Sequence, residues 1–196
     1  MGKTRWMSKR TLILVKHAET LLTPEVTAER WPLTPRGREQ CPALARRLGE
    51  YGLTKVVAST ELKAIETGQL VARQLKVEFE TAIGLHEHDR SNVPLIPREQ
   101  YEERMRQFFA APQELVYGRE SADEALARYR AAVVKVHREN PDETLAIVSH
   151  GTVMALLLAQ ANRRGAFELW LALGSPSLAV VEAETFALCE LVGNLV

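Results

Sequence analysis

Short apolar runs alternate along this chain with longer stretches in which apolar and polar residues repeat at helical spacing. The runs at 11–15, 56–59 and 145–149 hold four or five residues, mostly Leu, Ile, Val and Ala. That length suits a buried strand and is too short for a typical helix. Strands that alternate with helices predict a mostly parallel sheet covered on both faces. The expected fold is therefore α/β, a three-layer α/β/α sandwich.

Residues with helix-terminal preferences mark where the helices begin and end. Thr34 followed by Pro35 predicts an N-cap and a first helical residue, and helical spacing continues to Tyr51 before Gly52. A capping box at Ser121 opens another helix. The further elements expected are helices over 61–74, 121–139 and 151–162, a short strand over 77–80, and a terminal pair of edge strands over 178–182 and 186–190.

The segment 86–120 is irregular and carries Pro94, Pro97 and Pro112. One short helix is expected within it, at about 99–109. Long irregular segments in compact domains often act as lids or substrate loops. We therefore expect one domain over residues 1–196, with a lid or substrate segment at about 86–120.

Composition excludes several classes of protein. Basic and acidic residues balance at 25 each, which argues against nucleic-acid binding, because that needs a net basic surface. Cys41 and Cys189 are too few for a disulfide framework, so both are expected to be free thiols. The first ten residues are basic, but the apolar run that follows is too short for a signal peptide, and no later run could span a membrane. A soluble, cytoplasmic protein is expected.

Two histidines stand directly after predicted strands. Lys16 alone separates His17 from the run at 11–15, and His150 comes directly after the run at 145–149. Ligands of open α/β sheets bind outside the carboxyl ends of the strands. Both imidazoles are therefore expected to face one pocket.

Six motifs follow one another along the chain: Lys16-His17-Ala18-Glu19-Thr20, Leu33-Thr34-x-x-Gly37, Ser59-x-x-x-Lys63-Ala64-x-x-Thr67, Leu85-His86-Glu87, Glu120-Ser121 and Ser149-His150-Gly151. In order and spacing, over about 11–182, they resemble the histidine phosphatase superfamily, also called the phosphoglycerate mutase-like family. The family signature is Arg-His-Gly-Glu after the first strand, with a second arginine at position 63. This chain departs from it with Lys16, Lys63 and Ala18.

The resemblance implies a role for each residue of the site. His17 would be the nucleophile that forms a phosphohistidine. His150, Lys16 and Lys63 would hold the phosphoryl oxygens, because phosphoryl transfer needs positioning and positive charge. The backbone N–H of Gly151 would assist, since helix N-termini favour anions.

Glu87 matches the place of the family's acidic proton donor. It would protonate the leaving alcohol and then activate water. The implied activity is hydrolysis of a small phosphomonoester, with no metal and no cofactor because side-chain cations supply the charge. A mutase is less favoured, because the lid region is short.

Several alternatives remain open from the sequence. Lysine is a mobile point charge without the planar fork of arginine, so the chain could instead be a weakened or inactive relative that binds a phosphorylated ligand or a protein partner. A metal-dependent hydrolase ranks third. Its only support is the short motif of His86, Glu87 and His88. The oligomeric state is not determined, and a homodimer is one option.

Individual residues also have competing assignments. Asp89 or Glu19 could replace Glu87 as proton donor. Lys63 could form a plain helix-surface pair with Glu66, and Lys16 could simply be solvated. The arginines near the predicted lid could contact an anionic substrate or form a solvated face: Arg90, Arg98 and Arg104.

If one phosphate fits between two ring nitrogens, the imidazoles of His17 and His150 should lie about 4 to 7 Å apart. Coordinates that place them on opposite faces of the sheet would contradict the assigned chemistry.

Overall fold

The computed structural model describes residues 11–195, in which six strands form one sheet in the order β3-β2-β4-β1-β5-β6. The basic residues of the first ten positions lie outside this range. Strands β1 to β4 are mutually parallel where they pair, whereas β5 is antiparallel to β1 and to β6. The strands are β1 Thr11–Lys16, β2 Lys55–Ser59, β3 Glu78–Ala82, β4 Leu145–Ser149, β5 Ser177–Glu182 and β6 Leu188–Val192.

Helices cover both faces of the sheet. Alternate residues of β1 point to opposite sides, as the strand period requires. Leu12 and Leu14 join a core with α3 to α6, and Ile13 and Val15 join a second core with α1 and α2. The three-layer sandwich is thereby confirmed. The helices are α1 Pro35–Gly49, α2 Leu62–Leu75, α3 Arg98–Ala110, α4 Ala122–Glu139, α5 Gly151–Asn162 and α6 Ala166–Ala172, with a 3-10 turn at Ala28–Arg30.

The helix-terminal signals of the sequence are realised in the structure. Thr34 caps α1, because its hydroxyl accepts a hydrogen bond of 2.8 Å from Gly37 N–H. Ser121 and Glu124 form the complete capping box of α4. The predicted bounds of β4 and α5 coincide with the observed ones.

The prediction of two terminal edge strands is wrong for the first of them. Strand β5 lies inside the sheet between β1 and β6, and five of its six residues are buried. Continuous burial explains its unbroken apolar run, which is typical of an internal strand. Phe186, predicted to begin the last strand, instead has a φ of 58° in the turn before β6.

Two elements were not predicted. Helix α6 has seven residues and no side-chain cap, so it gives little periodic signal. The 3-10 turn at Ala28–Arg30 has no buried residue, so it carries no hydrophobic pattern at all.

The segment 86–120 contains the expected short helix, α3. Met105 and Phe108 of α3 are fully buried and fasten this helix to the core. The irregular stretch before α3 lines two cavities of about 680 and 450 Å³. Helix α3 is thus the anchored part of the segment, and the stretch that precedes it contributes to the walls of both cavities.

Both cysteines are free, as expected. Cys41 is buried, and burial raises the pKa of its thiol to about 11. Within residues 11–195, no helix combines the length and the apolar character needed to cross a membrane.

The loop that follows β1 rests directly on the first turn of α1. Thr34 N–H donates to the Glu19 carbonyl over 3.0 Å. A Cβ on Gly37 would lie only 2.2 Å from the same carbonyl oxygen. Glycine at position 37 therefore lets the loop carrying His17 approach the helix.

Gly37→Ala should destabilise the fold by about 2 to 3 kcal/mol, because backbone must move to admit the methyl group. Denaturant unfolding measures this change. Gly49→Ala in the same helix is the control, since its Cβ would meet only the end of the Leu75 side chain at 3.2 Å. Equal stability of the two variants would contradict the close-approach argument.

Candidate active site

Strands β1 and β4 bring the two histidines together. Lys16 lies opposite Ser149 in the parallel register, and His17 N–H donates to the Ser149 carbonyl over 3.1 Å. The rings of His17 and His150 have centroids 5.3 Å apart and cross at 62°. This separation falls within the range expected from the sequence.

The ring of His17 is held in one tautomer. Its Nδ1 lies 2.8 Å from the Ala18 carbonyl, which can only accept, so Nδ1 carries the proton. The hydroxyl of Thr20 lies 3.1 Å from the same nitrogen. Burial lowers the pKa of His17 well below its usual value, and the charges of His150 and Lys63 lower it further. The ring is therefore neutral near pH 7, with a free lone pair on Nε2.

The ring of His150 is fully buried. Its Nε2 lies 2.9 Å from Ser59 Oγ and 3.5 Å from a carboxylate oxygen of Glu61. Burial lowers its pKa, and the positive charges of Lys63 and Arg90 add to the effect. Its Nδ1 is buried and has no hydrogen-bond partner in the described part of the chain.

Lys63 is buried and does not lie on the helix surface. Its side chain is 3% exposed, forms an ion pair with Glu61, and donates to the Ala28 carbonyl over 2.7 Å. Glu66 instead pairs with Arg38 at 2.8 Å. The alternative of a surface pair between Lys63 and Glu66 is therefore wrong.

Glu61 is a residue of this site that sequence reasoning missed. Burial raises its pKa, but the adjacent ammonium of Lys63 outweighs burial and leaves the pKa below its usual value. The Lys63 pKa is lowered by burial, with Glu61 opposing. The same carboxylate accepts Glu87 N–H over 2.7 Å. The one available signal was an acid two positions before a lysine expected to be buried.

The side chain of Lys16 has a hydrogen-bond partner that is distant in sequence. Its ammonium donates to the Leu173 carbonyl over 2.7 Å. Burial lowers its pKa to about 8, partly opposed by Glu87. A Cβ on Gly151 would lie 3.4 Å from Lys16 Nζ, so the glycine leaves room for this ammonium. Lys16 is thus a partly buried cation beside the start of α5, with the Leu173 carbonyl as its partner.

The carboxylate of Glu87 lies at the N-terminus of α5. It accepts hydrogen bonds from Thr152 N–H at 3.1 Å and from Val153 N–H at 3.3 Å. Helix N-termini favour negative charge, so this contact orients the side chain. Glu87 also lines the cavity of about 680 Å³. The first turn of α5, where Gly151 was expected to assist a phosphate, thus already holds a carboxylate beside that glycine.

The other candidate proton donors are engaged elsewhere. Asp89 accepts from Ser91 N–H at 3.0 Å and from Ser91 Oγ at 2.7 Å, which closes its own turn. Glu19 accepts from the Thr34 hydroxyl over 2.9 Å at the start of α1. Glu87 is the one of the three that the structure places beside Glu61 and α5.

The side chains of His86, Glu87 and His88 are not placed together as metal ligands. His88 packs on Phe108 with ring centroids 4.3 Å apart, and His86 Nδ1 lies 3.0 Å from the Glu87 carbonyl. Within residues 11–195, no three His, Cys, Asp or Glu side chains are placed to hold a metal ion.

The alanine at position 18 fits its backbone without strain. Ala18 is not among the residues with positive φ, and its methyl group is buried with Leu33 and Cys41. Its N–H donates to Thr67 Oγ1 over 3.1 Å. The departure from the family's glycine therefore leaves this loop intact.

Comparison with known proteins identifies the family. The model of the histidine phosphatase superfamily, branch 1, matches residues 12–187. The chain belongs to the histidine phosphatase superfamily. A curated relative is the mitochondrial serine/threonine-protein phosphatase Pgam5 of Drosophila ananassae, 29% identical over 82% of this chain and 54% of that protein. Pgam5 of Drosophila simulans is 36% identical over 42% of this chain and 29% of that protein. The chain thus spans about half or less of the length of these relatives.

Solved structures share the fold. Mycobacterial glucosyl-3-phosphoglycerate phosphatase has a TM-score of 0.73 at 19% identity, covering 94% of this chain and 98% of that chain. YhfR of Bacillus stearothermophilus has a TM-score of 0.74 at 23% identity, covering 93% and 95%. At such identities the likeness shows the fold alone.

The pKa of Lys16 predicts a pH limit on anion binding. Its charge is present below about pH 8 and is lost as the pH rises through that value. Affinity for inorganic phosphate should therefore fall about tenfold between pH 7 and pH 9.5. Phosphorus NMR titration measures the affinity. In Lys16→Arg the fall should be much smaller, because arginine stays charged, and an unchanged fall would exclude Lys16 as its cause.

Proposed function

We propose that this chain hydrolyses small phosphomonoesters through a phosphohistidine on His17, without a metal or another cofactor. The observation that carries the proposal is the state of the His17 ring. The Nδ1–H of His17 donates a hydrogen bond to the Ala18 carbonyl, and the pKa of the ring is well below its usual value. Nε2 therefore has a free lone pair at neutral pH. A nucleophilic histidine needs this form.

In the first step Nε2 of His17 attacks phosphorus, and the bond from phosphorus to the ester oxygen breaks. The carboxyl group of Glu87 donates a proton to the leaving oxygen, so the product leaves as an alcohol. In the second step the Glu87 carboxylate takes a proton from water as that water attacks phosphorus. The bond from phosphorus to nitrogen breaks, and His17 and inorganic phosphate are released.

Positive charge around the two rings favours this reaction. Lys16 directly precedes His17, and Lys63 pairs with Glu61, whose carboxylate lies 3.5 Å from Nε2 of His150. Both positive charges lower the pKa of His17. Charges fixed in a buried site stabilise the equatorial oxygens of a transferring phosphoryl group more strongly than charges in water do. These cations supply the charge that a metal ion would otherwise provide.

The cavity beside Glu87 supports a small substrate. Its volume of about 680 Å³ lies within the usual range for small-molecule sites. Glu61, Glu87 and Arg90 are among its walls, so a leaving group in this cavity would lie beside the proposed proton donor.

The intermediate gives a direct test. Brief reaction with a labelled phosphomonoester should leave label that is stable to base and labile to acid. His17→Ala should abolish both label and turnover. The control is His137→Ala, which changes a histidine in the last turn of α4, away from the site. Label on another residue, or activity in His17→Ala, would reject the nucleophile.

The proton donor has a separate test, based on the leaving group. Glu87→Gln should slow hydrolysis of an alkyl phosphate by about 10²- to 10⁴-fold, the usual contribution of general acid catalysis. The loss with p-nitrophenyl phosphate should be much smaller in the first step, because that leaving group departs without a proton. Asp89→Asn and Glu19→Gln are the controls. If either control shows the selective loss instead, that residue is the donor.

A second candidate function is binding of a phosphorylated ligand or protein partner without turnover. The observation that favours it is that both pocket lysines are already engaged, Lys63 by Glu61 and Lys16 by the Leu173 carbonyl. Phosphate binding together with no hydrolysis across a broad panel of phosphomonoesters would support this function over the first.

A further inference from the structure

Arg90 lies at the wall shared by the two cavities. It belongs to the irregular stretch between β3 and α3, three residues after Glu87. It lines both the cavity of about 680 Å³ and the neighbouring cavity of about 450 Å³. A side chain in this position can reach whatever occupies the site beside Glu87.

The guanidinium of Arg90 lacks an anionic partner. It stacks on the Tyr101 ring at 4.9 Å from the ring centre and donates to the Tyr101 hydroxyl. No carboxylate of residues 11–195 forms an ion pair with it, whereas Arg128 pairs with Glu120 and Arg38 pairs with Glu66. A guanidinium has five N–H donors, so most of those of Arg90 remain for an anion.

Arg90 is part of the same group of charges as the two lysines. Its positive charge contributes to lowering the pKa values of Lys16, Lys63 and His150. Positive charges that act on one another in this way repel, and a bound anion relieves the repulsion. The two carboxylates nearby, Glu61 and Glu87, offset only part of this charge.

We propose that Arg90 binds the phosphoryl group of the substrate and supplies, from the loop after β3, the forked guanidinium that positions 16 and 63 lack. The proposal rests on the function proposed above, in that it names a further residue of that site. A guanidinium binds two phosphate oxygens at once, whereas each lysine offers a single charged point. Tyr101 on the anchored helix α3 holds the guanidinium in place.

The test compares Arg90→Gln and Arg90→Lys with the wild type by phosphorus NMR titration of inorganic phosphate at pH 7. Charge-assisted hydrogen bonds of this kind predict a loss of affinity of about ten- to a hundredfold in Arg90→Gln. Arg90→Lys should lose less, because it keeps the charge and loses only the fork. Arg104→Gln is the matched control: Arg104 is an exposed arginine of α3 that contacts Gln107 at 3.5 Å, and its affinity should stay unchanged.

A role for Arg90 in structure alone predicts a different pattern. If Arg90→Gln lowers the melting temperature but leaves phosphate affinity unchanged, the proposal is overturned. It is also overturned if Arg90→Gln and Arg104→Gln lose affinity equally.

The measurement separates this proposal from the proposed function. Wild-type protein that binds phosphate through Arg90 but hydrolyses no ester would contradict the phosphatase function and support the role of Arg90. A protein that hydrolyses esters but whose phosphate affinity does not depend on residue 90 would support the phosphatase function and contradict the role of Arg90. A wild type that binds no phosphate at millimolar concentration would overturn both.

Discussion

The site depends on the parallel pairing of β1 with β4. That pairing sets Lys16 opposite Ser149, so the residues that follow, His17 and His150, leave the sheet together at the same edge. A shift of one residue in register would turn the side chains of a strand to the other face. Both strands are buried on both faces, and their alternate side chains pack in two separate cores, so the fit of the side chains in those cores holds the register. The distance between the two rings is thus a consequence of the core beneath them.

Buried charges of opposite sign lie close together at this edge of the sheet, with Lys63 paired to Glu61. Lys63 is almost fully buried, and a buried lysine can lose its proton, which an arginine does not do. Its ion pair with Glu61 opposes that loss. Glu61 also accepts the N–H of Glu87, so one carboxylate links the cation on α2 to the loop that carries the proposed proton donor. Lysine at position 63 is therefore accompanied by an acid that keeps it charged.

The three departures from the family signature have different physical weight. Ala18 costs the backbone nothing, because its φ is not positive and its methyl group is packed. The two lysines keep positive charge but lose planar geometry. Lys16 also acquires a pKa of about 8, which makes the charge of the pocket sensitive to pH. The departures thus change the electrostatics of the site and leave its framework in place.

The sequence predicts six strands and five of the six α-helices of residues 11–195, the caps of α1 and α4, and the position of His17 and His150 after strands, because these are local patterns. It did not determine that β5 lies inside the sheet, since strand order depends on contacts between distant residues. The partners of the charged groups were also decided by tertiary structure: Glu61 with Lys63, the Leu173 carbonyl with Lys16, and Arg90 beside both cavities. The physical reason is that apolar periodicity and capping act within one element, whereas the partner and the pKa of a buried charge depend on which distant residues the fold brings within hydrogen-bond distance.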